Sequence, residues 1–260
     1  MRLLIPVILA LFAGCGSSDE STDHSGSNAD TSMASHDTAA NTTAADTASV
    51  NKLSDAEKSQ GWQLLFDGQT KNGWHSYNKK GNLEDWKVEN GMLVLNSTNK
   101  DEDIITNEEY ESYHLMLDWN ISEGGNSGII FNVKESPEYD RTYKTGLEMQ
   151  VLDNERHSDA KIPKHRAGDL YDLITSSTET VKPAGQWNTA EVIRNKDSLT
   201  LRLNGTTVVQ TKMLDQNWKK LISGSKFKEW KTFGTFKKGA IALQDHGNKV
   251  MYRNIKLRKL

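Results

Sequence analysis

The chain has 260 residues, 35% of them hydrophobic and 26% charged, with a formal net charge of −3. This is the composition of a globular protein with room for one large domain or two small ones, and the mildly acidic balance leaves no electrostatic case for binding nucleic acid. Its single cysteine, Cys15, excludes an internal disulfide.

The N-terminus reads as an export signal. Met1-Arg2 precedes an apolar run, Leu3–Ala13, which has the length of a signal h-region and is too short to span a bilayer as a mature helix. Phe12-Ala13-Gly14-Cys15 is similar to the bacterial lipoprotein box, with Phe12 where Leu is usual. The pattern predicts removal of residues 1–14, lipidation of Cys15 and anchoring to a membrane, and Gly16 after the cysteine points to the outer membrane or the periplasm-facing cell envelope. Residues 15–52 are Ser, Thr, Asp, Ala, Asn and Gly with hardly an apolar side chain, so they cannot bury a core and are expected to form a tether. His24 and His36 in that tether read as incidental.

The predicted folded domain occupies residues 53–260 and holds all seven tryptophans. Ser54-Asp55-Ala56-Glu57 fits a capping box for one short helix. Beyond Gly61 the helical period gives way to short alternating runs, among them Trp86–Glu89, Met92–Leu95, Tyr113–Ile121, Gly128–Val133, Gly146–Leu152, Leu199–Leu203, Gly239–Gln244 and Val250–Leu257. Asn90-Gly91 and Asn204-Gly205, each between two such runs, are hairpin signals. Ten or so short strands predict a two-sheet antiparallel sandwich or jelly roll. The exception is Asp215–Trp230, where Asp215 caps a predicted helix carrying Trp218 and Leu221, read as an insertion over one end of the sandwich.

Thr145–Asn154 is the most informative strand. Leu147, Met149 and Val151 alternate with Glu148 and Gln150, so one face is apolar and the other carries a carboxylate and an amide. The same phase argument turns Asn126, Gly128, Ile130 and Asn132 away from the core in the preceding run, and Gln244 and His246 away from it near the C-terminus. If these strands share a sheet with Tyr113–Ile121, one face collects Asn126, Asn132, Glu148, Gln150, Gln244 and His246, with His114 and Asp118 beside them. Such groups hydrogen-bond sugar hydroxyls; a solvated convex face is the competing reading.

Two further stretches are dense in reactive groups. Asp153–Asp172 is a long loop with Asp153, His157, His165, Arg166 and Tyr171, and loops of that length in a compact domain are usually functional. It has no tight His/Cys spacing; its carboxylates and amides leave a divalent metal open, calcium being the natural one. Leu243–Asn254 contains Arg253, expected either to bridge to Asp245 or to sit at a bulge. Absent are a Ser-His-Asp signature, a phosphate loop, HExxH and the paired carboxylates that retaining glycosidases hold about 5–5.5 Å apart.

The stretches LLFDGQTKNGW, GGNSGIIFNV, TGLEMQVLDN, KHRAGDLYDL, GQWN, LRLNG, SKFKEW and GAIALQDHGNKVMYRNIKLR run in order from Gly61 to the C-terminus. Together they resemble the 3-keto-disaccharide hydrolase domain family. The resemblance implies a concanavalin A-like jelly roll, and hydrolysis of glycosides whose glucose unit has been oxidised at C3 by a partner dehydrogenase. It also fits an exported lipoprotein. A C3 ketone acidifies the C2 proton, so a base can form an enolate and the C1 leaving group can depart, after which water adds. On this reading Glu148 or His246 is the base and the other the acid or orienter. Gln150, Asn126, Arg166 or a bound cation holds the oxyanion, and Asp153, His157, Tyr171 and Gln244 complete the substrate contacts. A lectin-like binding module and a conventional glycosidase are the rival readings.

Overall fold

The computed structural model describes residues 50–78, 83–96 and 102–260. The predicted signal, Cys15 and nearly all of the tether lie outside the described residues. In chain order the elements are α1 (Asp55–Ser59), β1 (Gln63–Leu64), β2 (Trp74–Ser76), β3 (Trp86–Glu89), β4 (Met92–Leu95), β5 (Ile104–Thr106), β6 (Tyr113–Ile121), β7 (Asn126–Val133), β8 (Leu147–Leu152), β9 (Asn188–Asn195), β10 (Ser198–Leu203), β11 (Thr206–Lys212), α2 (Gln216–Ser223), β12 (Ala240–Leu243) and β13 (Val250–Lys259). They form an all-β sandwich of two antiparallel sheets. One runs β11-β10-β9-β6-β13-β4-β3 with β1 also paired to β13; the other runs β2-β5-β12-β7-β8.

Local chemistry explains the framework. The Ser54 hydroxyl accepts from the Glu57 amide while Glu57 reaches back to the Ser54 amide, so the capping box is closed in both directions. Asn90 and Gly91 have φ of 52° and 76°, and Asn204 and Gly205 have 50° and 80°. Two successive positive φ values give a turn whose twist matches that of the flanking strands, and these turns join β3 to β4 and β10 to β11.

The core lies between the sheets. From β6 come Tyr113, Leu115, Leu117, Trp119 and Ile121, from β7 Ile129 and Phe131, from β8 Leu147, Met149 and Val151, and from β12 Ile241 and Leu243. Each fully buried large apolar side chain contributes about 1.5–3 kcal/mol. These are the residues that strand alternation selects, with two breaks. In β13 the register shifts between Arg253 and Lys256, and Asn254 has a φ of 54°. This bulge keeps both Tyr252 and Ile255 in the core and turns Arg253 outward, where it lies on the Trp187 ring and 3.5 Å from Asp118. The expected bridge from Arg253 to Asp245 is therefore replaced by the bulge alternative.

In β7, Asn132 has a φ of 59° and the pairing to β12 shifts register nearby. The displaced phase moves Val133 out of the main core into a second apolar cluster with Tyr77, Ile105, Ile130, Ala240 and Ala242. Asn132 itself donates to the Phe236 carbonyl and is 1% exposed, so it belongs to the bulge and not to a groove.

Sheet membership corrects one more expectation. β7, β8 and β12 do share a sheet, but β6 lies in the other one. His114 there pairs with Glu191 at 2.7 Å, and Asp118 accepts from Thr189 and Asn254.

Candidate active site

The site is built on the outer face of the smaller sheet, on residues that alternate with the core set. Asn126 from β7, Glu148 and Gln150 from β8, and Gln244 and His246 just after β12 line a cavity of about 530 Å³. Tyr171, Tyr143, Lys144, Lys226, Phe227 and Trp230 complete its walls. Pockets of this size suit a small ligand.

Glu148 lies within this cavity yet is only 8% exposed. Burial penalises its charged form and outweighs the attraction of Lys226, with Asp103 and Asp159 adding repulsion; its pKa is raised from 4.5 to about 8. Room for the side chain comes from Gly128 on β7: a Cβ there would lie 2.4 Å from Glu148 Oε1. Around the carboxyl, the side-chain oxygens of Asn126, Gln150 and Gln244 are buried without a hydrogen-bond partner among the described residues. These oxygens are buried acceptors, and leaving such a group unpaired costs about 1–3 kcal/mol.

The long loop after β8 positions one wall. Residues 168–171 lie along the free edge of β8: Gly168 donates to the Gln150 carbonyl at 2.9 Å, Gln150 to Asp169 at 3.1 Å and Tyr171 to Glu148 at 3.0 Å. Buried Asp169 holds this stretch by accepting from the amides of Arg166 and Ser176. Tyr171 is thereby placed beside Glu148, and His165 packs on its ring with centroids 4.3 Å apart. His165 in turn sits between Asp159 and Asp172, at 3.6 Å and 3.4 Å.

The segment after α2 packs beside this loop and continues the lining. The Lys226 amide donates to Asp172 at 2.7 Å and its ammonium to the Tyr171 hydroxyl at 2.9 Å. Desolvation lowers the Lys226 pKa, and Glu148 partly offsets it. Burial and the negative charge of Glu148 raise the Tyr171 pKa. Trp230 lies nearly parallel to Tyr143, with centroids 6.0 Å apart, and Lys144 stands 4.2 Å over the Trp230 ring.

Asp245, between Gln244 and His246, is fully buried. It accepts from the Glu102 and Gly247 amides, while its own amide donates to Asp103. Asp103 also accepts from Thr142, at the start of the turn that carries Tyr143 and Lys144. One buried network therefore sets the positions of two walls.

Of the side chains singled out from sequence, Asn126, Glu148, Gln150, Tyr171, Gln244 and His246 are brought together. His157 stands at the border, its ring 6.5 Å from that of His246 and nearly perpendicular to it. Two others are placed elsewhere. Asp153 is spent on the Gly124 and Glu155 amides. Arg166 reaches the Glu179 carboxylate and the Ala160 carbonyl, so its guanidinium does not line the cavity. Lys226, Phe227, Trp230, Tyr143 and Lys144 were not selected by sequence phase, since all five lie in irregular or 3-10 segments without a period. The signal available for three of them was the SKFKEW motif itself. Among the described residues no three His, Cys, Asp or Glu side chains are grouped to hold a metal ion.

Comparison with known proteins gives a consistent set of relatives. The model of the 3-keto-alpha-glucoside-1,2-lyase-like domain matches residues 61–258. A 3-keto-disaccharide hydrolase of Bacteroides thetaiotaomicron is 31% identical over 228 residues, covering 77% of this chain and 79% of that protein. A crystal structure of a candidate glycosyl hydrolase from Parabacteroides distasonis is 30% identical with a TM-score of 0.76, covering 81% of this chain and 99% of that one. A second from the same organism is 27% identical with a TM-score of 0.62, covering 76% and 99%.

Proposed function

Because this chain belongs to the 3-keto-alpha-glucoside-1,2-lyase-like domain family and is a hydrolase of glycoside-hydrolase type, we propose that its substrates are glycosides bearing a ketone at C3 of a glucose unit. The observation that carries this reading is Glu148: one buried carboxyl in the cavity, with a pKa of about 8, among side-chain amides whose oxygens have no hydrogen-bond partner among the described residues. An ordinary retaining glycosidase needs a second catalytic carboxyl, and Glu148 is the sole carboxyl among the described residues that line this cavity. A C3 ketone removes that need.

The reaction follows from the chemistry of the ketone. Glu148 takes the C2 proton, leaving the enolate across C2, C3 and the C3 oxygen. The enolate expels the aglycone oxygen from C1, and His246 gives that oxygen a proton. Water then adds to C1 of the enone and C2 is reprotonated, so one glycosidic bond is exchanged for the elements of water. A carboxyl that titrates near neutrality suits proton abstraction better than one held near 4. Gln150 and Asn126 are the amides assigned to the sugar hydroxyls and the developing oxyanion, with Gln244 beside them.

The test uses a 3-keto-glucoside with a chromogenic leaving group and its unoxidised counterpart. Release from the keto form alone is expected, with Glu148→Gln reducing turnover at least about 100-fold. Release from the unoxidised glycoside, or sugar binding without release from either, rejects the reading. Two accompanying proposals concern context: a dehydrogenase supplies the ketone, and the chain is exported and lipidated at Cys15. Loss of palmitate labelling in Cys15→Ala checks the second.

A further inference from the structure

One lysine of the cavity lining, Lys226, is an exposed residue and stands beside Tyr171. Lys226 has no carboxylate within ion-pair distance among the described residues; its ammonium donates to the Tyr171 hydroxyl and lies 4.0 Å from the centroid of that ring and 5.3 Å from that of Phe227. An aromatic face orients a cation without neutralising it. With one N–H directed at Tyr171, two donors remain for a ligand. Lys226 also interacts electrostatically with Glu148, and with Asp172 and Asp159. The adjacent residues Tyr171 and Asp172 link the two: the Lys226 amide donates to Asp172, and the Tyr171 amide donates to the Glu148 carbonyl. The same loop therefore anchors the backbone of both residues.

We propose that Lys226, oriented by Tyr171, is a catalytic residue that binds the C3 carbonyl oxygen and stabilises the enolate formed when Glu148 removes the C2 proton. This rests on the 3-keto-glycoside reading and assigns its charge-stabilising group. The balance is simple. The C–H pair of electrons at C2 moves into the C2–C3 bond, the carbonyl electrons move onto oxygen, and the negative charge that appears there faces a cation already in place. No electron acceptor or further reactant is required. Preorganised positive charge aimed at a developing oxyanion is the most effective form of such stabilisation, because nothing reorients during the step. The geometry also makes the base and the cation interdependent: Lys226 draws the Glu148 pKa down from where burial alone would put it, so removing the cation moves the base upward.

The experiment separates proton abstraction from glycosidic cleavage. A 3-keto-1,5-anhydroglucitol has the ketone and the C2 proton but no leaving group at C1. In D₂O the wild-type protein is expected to exchange its C2 proton, followed by NMR. Lys226→Met is expected to slow that exchange and the turnover of a 3-keto-glucoside by about 100-fold or more, with an unchanged melting temperature and a pH profile displaced to higher pH. Lys226→Arg, which keeps the charge, should recover part of both rates. If wild-type protein exchanges and Lys226→Met exchanges within about threefold of it, the assignment of Lys226 is wrong while the function stands. If wild-type protein neither exchanges nor cleaves C3 ketones, the functional reading falls and the assignment falls with it.

Discussion

Glu148 occupies space that any side chain at position 128 would need: a Cβ on Gly128 would lie 2.4 Å from Oε1, 2.8 Å from Cδ and 2.9 Å from Cγ of Glu148. Gly128 sits in the middle of β7 and is paired to Gln150, so the two reactive-strand residues are placed by one ladder. Glycine is used here for close approach, since its backbone is not among those with positive φ. Gly128→Ala is therefore expected to fold, because the displaced atoms are the end of a flexible side chain. It should lose at least about 10-fold in kcat/KM on a 3-keto-glucoside, as a misplacement near 1 Å can cost up to about 100-fold. Steady-state kinetics with a melting curve on the same sample checks both halves.

Glu148 also couples stability to pH. Its folded pKa is raised from 4.5 to about 8. Below 4.5 the folded and unfolded chains are both protonated there and the carboxyl costs nothing. Between the two values the unfolded chain ionises first, so stability is lost as pH rises through the folded pKa. Glu148→Gln, which has no such proton, should gain on the wild type by an amount on the order of a few kcal/mol between pH 5 and pH 8. Urea titrations at the two pH values measure it. The same titration gives the direction of activity: as a base, Glu148 should make kcat/KM rise with pH up to about 8. A fall over that range assigns it the role of acid.

Trp230, Tyr143 and Phe227 give the cavity an aromatic wall. Sugar rings present apolar C–H faces that stack on such surfaces. Trp230→Ala should raise KM for a 3-keto-disaccharide by roughly 10-fold, in line with about 0.5–1.5 kcal/mol for ring contacts, and leave a methyl 3-keto-glucoside little changed. Equal losses on both substrates would place Trp230 against the keto sugar itself.

Asp245 has no route to the substrate of its own, being fully buried beneath Gln244 and His246. Asp245→Ala leaves the Glu102 and Gly247 amides without their acceptor. A loss of about 2–4 kcal/mol in stability is expected, together with a fall in kcat larger than any change in KM. Denaturant unfolding and kinetics on the same variant report the two effects.

The framework was legible wherever one face of a strand is buried. Alternation in β6, β8 and β12 gave the inward residues, and Asn90-Gly91 and Asn204-Gly205 gave the hairpins. Phase also selected Asn126, Glu148, Gln150, Gln244 and His246, because a polar residue that alternates with core residues must face away from them. β2 and β5 leave no sequence signal because three residues are too few to show a period. Arg166 and Asp153 could not be sorted from Tyr171, since a loop has no phase and each contains the groups a site would use. Lys226 lies just after α2, where the helical pattern ends, and nothing in one dimension relates it to a carboxylate 78 positions earlier on a strand (226 − 148). The placement of β6 required knowing which strands pair, which is a property of the whole topology.

The covering of β8 by residues 168–171 has a consequence for access. A strand at the margin of a sheet normally invites an extended peptide to add itself there, and many binding proteins recruit partners that way. Here the Glu148 carbonyl and both the N–H and the carbonyl of Gln150 are already taken by Tyr171, Asp169 and Gly168. An incoming peptide would compete with a segment tethered at both ends and so present at high effective concentration. Strand mimics are therefore the wrong inhibitors for this protein. Compounds aimed at Glu148 should instead fill the cavity that it lines with Lys226 and Trp230.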